Sequence, residues 1–283
     1  MSEKTKVKHS NFLCVRGYVN SYDIVTFSSG TKMANISIKD TNNNNLTYVK
    51  LFGRDGLKYG TQTTNLEGLK KIFLNSDDSP RGILVEAKGR CGETKGVDKQ
   101  GVEKVYENNM IWAINPYNDE ALQGAGLTFG GLIENIKYGE DKDGEPIAKL
   151  KVGSMNFNKD KDITGVDTMT LVAHGDIVNE MEDKGIEKHC GATFKCALLN
   201  ILPKRDVFGD FIGTSTKECQ IVKFLDVVDV DDAEEEFELY KKAKKLERGE
   251  TIKVPKSKDK DEDEVIEEPK PKVIEDDDDD LDF

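Results

Sequence analysis

The chain reads as an all-β protein: two successive sets of five strands with one plan, then a disordered acidic tail. Three observations predict this. Short runs alternating apolar and polar residues recur from residue 11 to residue 228, with turn-forming Gly, Asn, Asp or Ser at nearly every break. The runs fall into two sets with the same element order, the pattern of a tandem repeat. The charge is also uneven: the 283 residues carry a net charge of −13, but the stretch from Asp229 onward holds 23 acidic and 11 basic side chains, which leaves the first 228 residues at −1.

After a flexible N-terminus (residues 1–10), the first set occupies residues 11–123. In "NFLCVRGYVNS", Leu13, Val15 and Val19 share one face, and Arg16 and Tyr18 share the other. "TKMANISIKD" follows the turn signal "SSG". Asn42 to Asn45 make a loop tip, and "LTYVKLFG" is the third strand. The insert "TTNLEGLKKIFL" has a short helical pattern. "GILVEAKGR", a Gly/Lys-rich loop and "VYENNMIWAIN" complete the set, with Trp112 in an apolar run that reads as core.

Residues 124–229 repeat the plan with "GLTFGGLIENIKYG", "PIAKLKVGS", "TMTLVAHG", the helical "DIVNEMEDKG", "ATFKCALLNIL" and "KECQIVKFLDVV". Residues 230–250 place acids before bases, which suits a helix through its macrodipole and i,i+4 pairs such as Glu238–Lys242. Residues 251–283 hold few large apolar side chains and read as disordered.

The candidate site follows from the alternation. In "TYVKLFG" a strand sends Val49 and Leu51 inward, so Tyr48, Lys50 and Phe52 share the outer face. An aromatic–lysine–aromatic row offers two stacking surfaces for bases and a cation for phosphate between them. Arg16 with Tyr18, and Lys88 with Arg90, form similar outward pairs. The second set is poorer: Thr170, Val172 and His174 occupy the corresponding row, and Lys149 and Lys151 share a face of the neighbouring strand.

These pieces, in this order and spacing, resemble the bacterial and phage single-stranded DNA-binding proteins (SSBs). "NFLCVRGYVN", "SSGTKMANISIKD", "TYVKLFG", "GILVEAKGRC" and "DKQGVEKVYE" carry the resemblance over about residues 10–117, together with the last ten residues. It implies two tandem oligonucleotide/oligosaccharide-binding (OB) folds, five-stranded Greek-key barrels, that coat single-stranded DNA without sequence preference during replication, recombination and repair. It also implies a tail that recruits a polymerase, helicase, primase or recombinase. In that tail Asp276, Asp277, Asp278, Asp279, Asp280 and Asp282 would steer the encounter, and Leu281 and Phe283 would supply the apolar anchor. Two barrels in one chain, and the insert at residues 60–80, depart from the family pattern and leave the oligomeric state open.

Other classes fare worse. No phosphate-binding "GxxxxGK[ST]", "GxSxG" or "HExxH" motif is present, and the three histidines are scattered, so no enzyme and no cofactor is expected. A zinc site at His189, Cys190 and Cys196 lacks a second close pair, and buried free thiols are the better reading of the five widely spaced cysteines. No apolar stretch is long enough for a membrane helix. The expected location is a bacterial or phage-infected host cytosol. The alternative is an OB-type scaffold or acidic chaperone without a nucleic-acid groove.

Overall fold

In the computed structural model of the chain, residues 6–53, 57–59, 62–74, 82–97, 101–201, 204–205, 211–212 and 216–246 are described. The alternating runs become strands. The first set supplies β1 (Ser10–Thr26), β2 (Lys32–Asp40), β3 (Asn45–Phe52), the short β4 (Leu57–Tyr59) and β5 (Gln62–Thr64), and helix α1 (Leu66–Leu74). It continues with β6 (Leu84–Arg90), β7 (Glu93–Val97), β8 (Glu103–Glu107) and β9 (Met110–Pro116). The second set supplies β10 (Gly124–Glu140), β11 (Pro146–Phe157), β12 (Ile163–His174), α2 (Asp176–Asp183) and β13 (Gly191–Ile201). The short β14 (Lys204–Arg205) and β15 (Phe211–Ile212) precede β16 (Thr216–Val228) and α3 (Val230–Ala243).

Pairing closes each set on itself. In the first, β3, β2, β1, β6 and β9 are neighbours in that order, and a parallel bridge from Lys50 to Met110 returns β9 to β3. In the second, β10, β11, β12, β16 and β13 follow in turn, with a parallel bridge Val172–Gln220 and antiparallel pairing of β13 to β10. Both cycles place a helix between their third and fourth strands and a small hairpin, β7–β8 or β14–β15, between their fourth and fifth.

The two cycles are sewn together. The first half of β1 pairs antiparallel with β10, from Ser10–Gly130 to Arg16–Gly124, while also pairing with β6. At a second seam, Asn45 of β3 pairs with Ile201 of β13. The Asn45 side chain donates to the Leu198 carbonyl and accepts from the Asn200 N–H, and the Asn200 side chain donates to the Leu46 carbonyl, each at 2.7 Å. One continuous apolar core results, containing Leu13, Ile36, Val49 and Ile114 of the first cycle and Leu127, Phe129, Leu150 and Phe194 of the second. Burying such side chains contributes roughly 1.5–3 kcal/mol each against exposure.

Helix α3 closes over the second cycle. Its acids lie in the first turn and its lysines in the last, as the macrodipole favours. Ala233, Tyr240 and Ala243 are its buried residues. A Cβ on Gly153 would stand 1.8 Å from the Tyr240 hydroxyl, so only glycine lets that ring reach β11. The Tyr240 hydroxyl donates to Glu134, which also pairs with Lys244 at 2.5 Å. The side-chain pair within the helix is Glu238–Lys241 at 2.6 Å, one residue short of the expected Glu238–Lys242 spacing.

Two expectations are corrected. Trp112 is 56% exposed rather than core, because Ile111 and Ile114 take the inward positions of β9 opposite a bulge at Lys88/Gly89. Tyr18 is 7% exposed rather than outward. It sits beside a bulge in β1 between Val19 and Ser21, where the strand passes from β6 to β2 and alternation breaks. Among the described residues, no helix is long and apolar enough to cross a membrane.

Candidate functional site

The strand β3 carries the outward row. Tyr48 is 60% exposed, Phe52 is 38% exposed, and Val49 and Leu51 between them are buried. Register sets their neighbours on β2: Ser37 beside Tyr48, Asn35 beside Lys50, and Met33 beside Phe52. The Lys50 ammonium donates to the neutral Asn108 side-chain carbonyl at 3.1 Å, and among the described residues no acid pairs with it. The Asn109 side chain donates to the Tyr48 carbonyl at 3.0 Å and to Glu107 at 2.8 Å, and the Asn109 backbone carbonyl accepts the Lys50 N–H at 2.7 Å. The end of β8 is thereby fastened under the row.

The row extends further than the sequence indicated. The β1–β2 arm ends in a turn in which Phe27 and Thr31 exchange a backbone bond of 2.8 Å, and Gly30 takes a left-handed φ of 79°. Phe27, at 41% exposure, follows Val25 in alternation, and Val25 lies opposite Met33. Phe27 stands in a turn sequence, where no strand pattern singles it out.

The other expected residues lie elsewhere. Arg16, Lys88 and Glu86 form a triad on the β1–β6 surface. The Arg16 Nε donates to Glu86 at 2.9 Å, and the Lys88 ammonium reaches the same carboxylate at 2.5 Å. The Lys88 bond, then that of Arg16, holds the Glu86 carboxyl below its ordinary pKa, and both cations are shifted upward by the same acid. Arg16 also lies 5.0 Å from the Tyr117 ring. Next to this triad the exposed Phe12 and Trp112 rings approach to 6.4 Å. A groove of about 820 Å³ runs from Phe12, Arg16 and Lys88 toward Gly126 and Leu199 of the second cycle. Arg90 faces Asp167 at 4.0 Å. Tyr18 lines a separate cavity of about 520 Å³ with Tyr22, Lys39 and Phe73.

In the second cycle the corresponding row is roofed. The β7–β8 hairpin of the first cycle lies over β12, and the Glu93 carboxylate accepts both the Thr170 N–H at 2.8 Å and its hydroxyl at 3.0 Å. Val172 is buried, and His174 faces Glu218 at 3.3 Å. The base of the hairpin is pinned by Asn11, whose amide donates to the Cys91 carbonyl at 2.6 Å and to Asp167 at 2.8 Å. On β11, Lys149 is exposed, whereas Lys151 lies 3.8 Å from Glu134. The acidic tail residues Asp276 to Asp280, Leu281, Asp282 and Phe283 lie outside the described residues.

The arrangement therefore offers one open, aromatic, cationic row on the first cycle and a carboxylate-lined, covered one on the second. All five cysteines are free thiols, four of them buried, and burial raises the pKa of Cys91, which makes that thiol a poor nucleophile.

No protein-family model matches the chain, and no curated protein sequence does. Solved structures do. The chain is similar to the wild-type single-stranded DNA binding protein from Thermus aquaticus, with a TM-score of 0.50 at 12% identity, over 77% of this chain and 93% of that one. A deletion variant of the same Thermus aquaticus protein gives a TM-score of 0.50 at 13% identity, over 77% and 94%. At these identities the likeness is one of fold: this chain has an SSB-like, mostly β architecture.

Proposed function

We propose that the protein binds single-stranded DNA without sequence preference, through the first of two OB-type barrels. In this reading the barrels are the domains 11–123 and 124–229, and the protein coats exposed strands during replication, recombination and repair. The observation that carries it is the outward Tyr48–Lys50–Phe52 row on a closed five-stranded barrel. Aromatic faces accept any base, at roughly 1–3 kcal/mol each, and the cation answers the backbone. The likeness in fold to the Thermus aquaticus protein supports the same reading.

The chemistry follows from the row. Bases stack on Tyr48 and Phe52 by dispersion and partial desolvation, with no edge read by hydrogen bonds, so sequence is not selected. Phosphates gather at Lys50 and release counterions, which makes affinity fall with salt. No bond is made or broken, and we assign no enzymatic activity and no cofactor. The acidic tail is assigned to recruiting replication or recombination proteins, with the aspartates steering approach and Phe283 anchoring. A cytosolic location and a possible oligomer belong to the same reading, and the exposed Phe12–Trp112 pair offers an apolar surface to a second copy.

The test is an anisotropy titration of labelled oligothymidine, of mixed-sequence single strands and of the matching duplex. Comparable binding of both single strands with much weaker binding of the duplex is expected. No binding to any of them would leave the scaffold or acidic-chaperone reading.

A further inference from the structure

Where β3 meets β13, the two barrels together form a small cavity beside the row. Its volume is about 310 Å³, and its lining includes Thr47, Tyr48, Glu107 and Asn109 from the first barrel with Asn200 and Lys217 from the second. Such a volume is at the lower end of small-ligand sites, roughly 300–1,000 Å³. The cavity opens beside the exposed ring of Tyr48. Its floor is held by the three 2.7 Å bonds that join Asn45 and Asn200 to the opposite strands.

We propose that this cavity is a nucleotide subsite built by both barrels, in which one base lies on Tyr48 and its phosphate on Lys217. The proposal rests on the reading of the Tyr48 row as a single-strand-binding surface. It adds that the bound strand leaves the first barrel across the joint, and that a cation of the second barrel completes the first barrel's site.

Lys217 reaches this place through register alone. It lies opposite Asn200 on β13, and Asn200 is bonded to β3. Its side chain is 63% exposed, with its ammonium 3.9 Å from Glu107. An ion pair that long and that wet is weak. Glu107 is held on its other oxygen by Asn109, so the carboxylate is a fixed rim charge and the lysine is the mobile partner. A phosphate arriving over Tyr48 offers Lys217 a second anion without moving Glu107. The acid then acts as a placeholder that keeps the ammonium near the cavity when no strand is bound.

The test uses the full chain with Lys217→Ala, Lys217→Arg, Glu107→Gln and Tyr48→Ala, each titrated with oligothymidine from low to high salt. Folding is not at issue for Lys217, which is exposed, and far-UV dichroism checks it. One lost single-strand phosphate contact flattens the log–log salt slope by about 0.7 and lowers affinity roughly five-fold at 0.1 M salt. Lys217→Ala should do both, and Lys217→Arg should restore both. Glu107→Gln keeps an acceptor for Asn109, removes the competing charge, and should tighten binding most at low salt. If Tyr48→Ala weakens binding while Lys217→Ala leaves slope and affinity unchanged, the joint subsite is wrong and the row stands. If neither variant weakens binding, the single-strand reading of the row itself falls, and the subsite with it.

Discussion

Replacing Tyr48 and Phe52 together with Ala removes both stacking faces of β3. The residues are four apart on a strand, a separation of roughly 13 Å at about 3.3 Å per residue. Each ring therefore serves a different base, and the two losses should add. At roughly 1–3 kcal/mol per stacked base the pair is worth about 2–6 kcal/mol, or about 30-fold to more than 10,000-fold in dissociation constant. The lower part of that range is expected, because Phe52 is only 38% exposed and keeps part of its ring against its neighbours. The fold should survive, since the inward partners Val49 and Leu51 are untouched. Anisotropy with labelled oligothymidine at fixed salt reads the affinity, and thermal denaturation reads the fold. A folded double variant that binds as tightly as the parent would refute the assignment of the row.

Other outcomes follow from the same geometry. Lys50→Ala should flatten the salt slope by about 0.7, whereas Lys88→Ala should change it less, because Lys88 already shares Glu86 with Arg16; equal slopes for the two variants would contradict this. His9 accepts the Met155 N–H at Nδ1, and burial lowers its pKa to about 4. Glu236 stands 3.8 Å from Nε2, too far for a hydrogen bond to offset that burial. The unfolded chain thus takes up a proton at His9 near pH 6.5 and the folded chain only near 4, so stability falls as pH drops across that window and levels off below it. The component is about 3 kcal/mol and should be missing in His9→Asn; identical pH dependence of unfolding in both proteins would exclude it. Deleting Phe283 should leave oligothymidine affinity intact and abolish retention of replication or recombination partners on an affinity column; full retention would make the terminal aromatic incidental.

The parts that were legible in the sequence were those governed by local periodicity. From Thr47 to Phe52 of β3 the alternation is unbroken, so the burial of Val49 and Leu51 and the exposure of Tyr48 and Phe52 follow from spacing alone. The pattern failed where pairing partners change. Gly17, Tyr18 and Val19 are buried in succession because β1 exchanges β6 for β2 across a bulge there, and the Gly82–Ile83 segment closes in, with the Val19 N–H donating to the Ile83 carbonyl at 2.9 Å. Trp112 sits in an apolar run whose inward residues are three apart rather than two. Lys217 and Glu93 were invisible for another reason: their partners lie far away in sequence, and only the fold brings Lys217 to Glu107 or Glu93 to Thr170. At Arg16 and Lys88 the fold adds a partner: Glu86, two residues before Lys88 on the same face of β6, lies opposite Arg16 and pairs with both cations.

The hairpin that roofs β12 leaves the two halves of the chain with different exposed surfaces. Two separate copies of one barrel must carry the same groove, since each is read from the same gene. Here the halves are encoded apart and joined at fixed one-to-one stoichiometry, so a change in one row is not repeated in the other. The hairpin seals the Thr170 edge, which would otherwise present an unpaired backbone N–H to any passing strand. Beneath that hairpin Thr170, Val172 and His174 stand where the first half carries Tyr48, Lys50 and Phe52. If the first row binds a strand as proposed, each chain presents that row once, on a half joined to the other along β1–β10 and β3–β13.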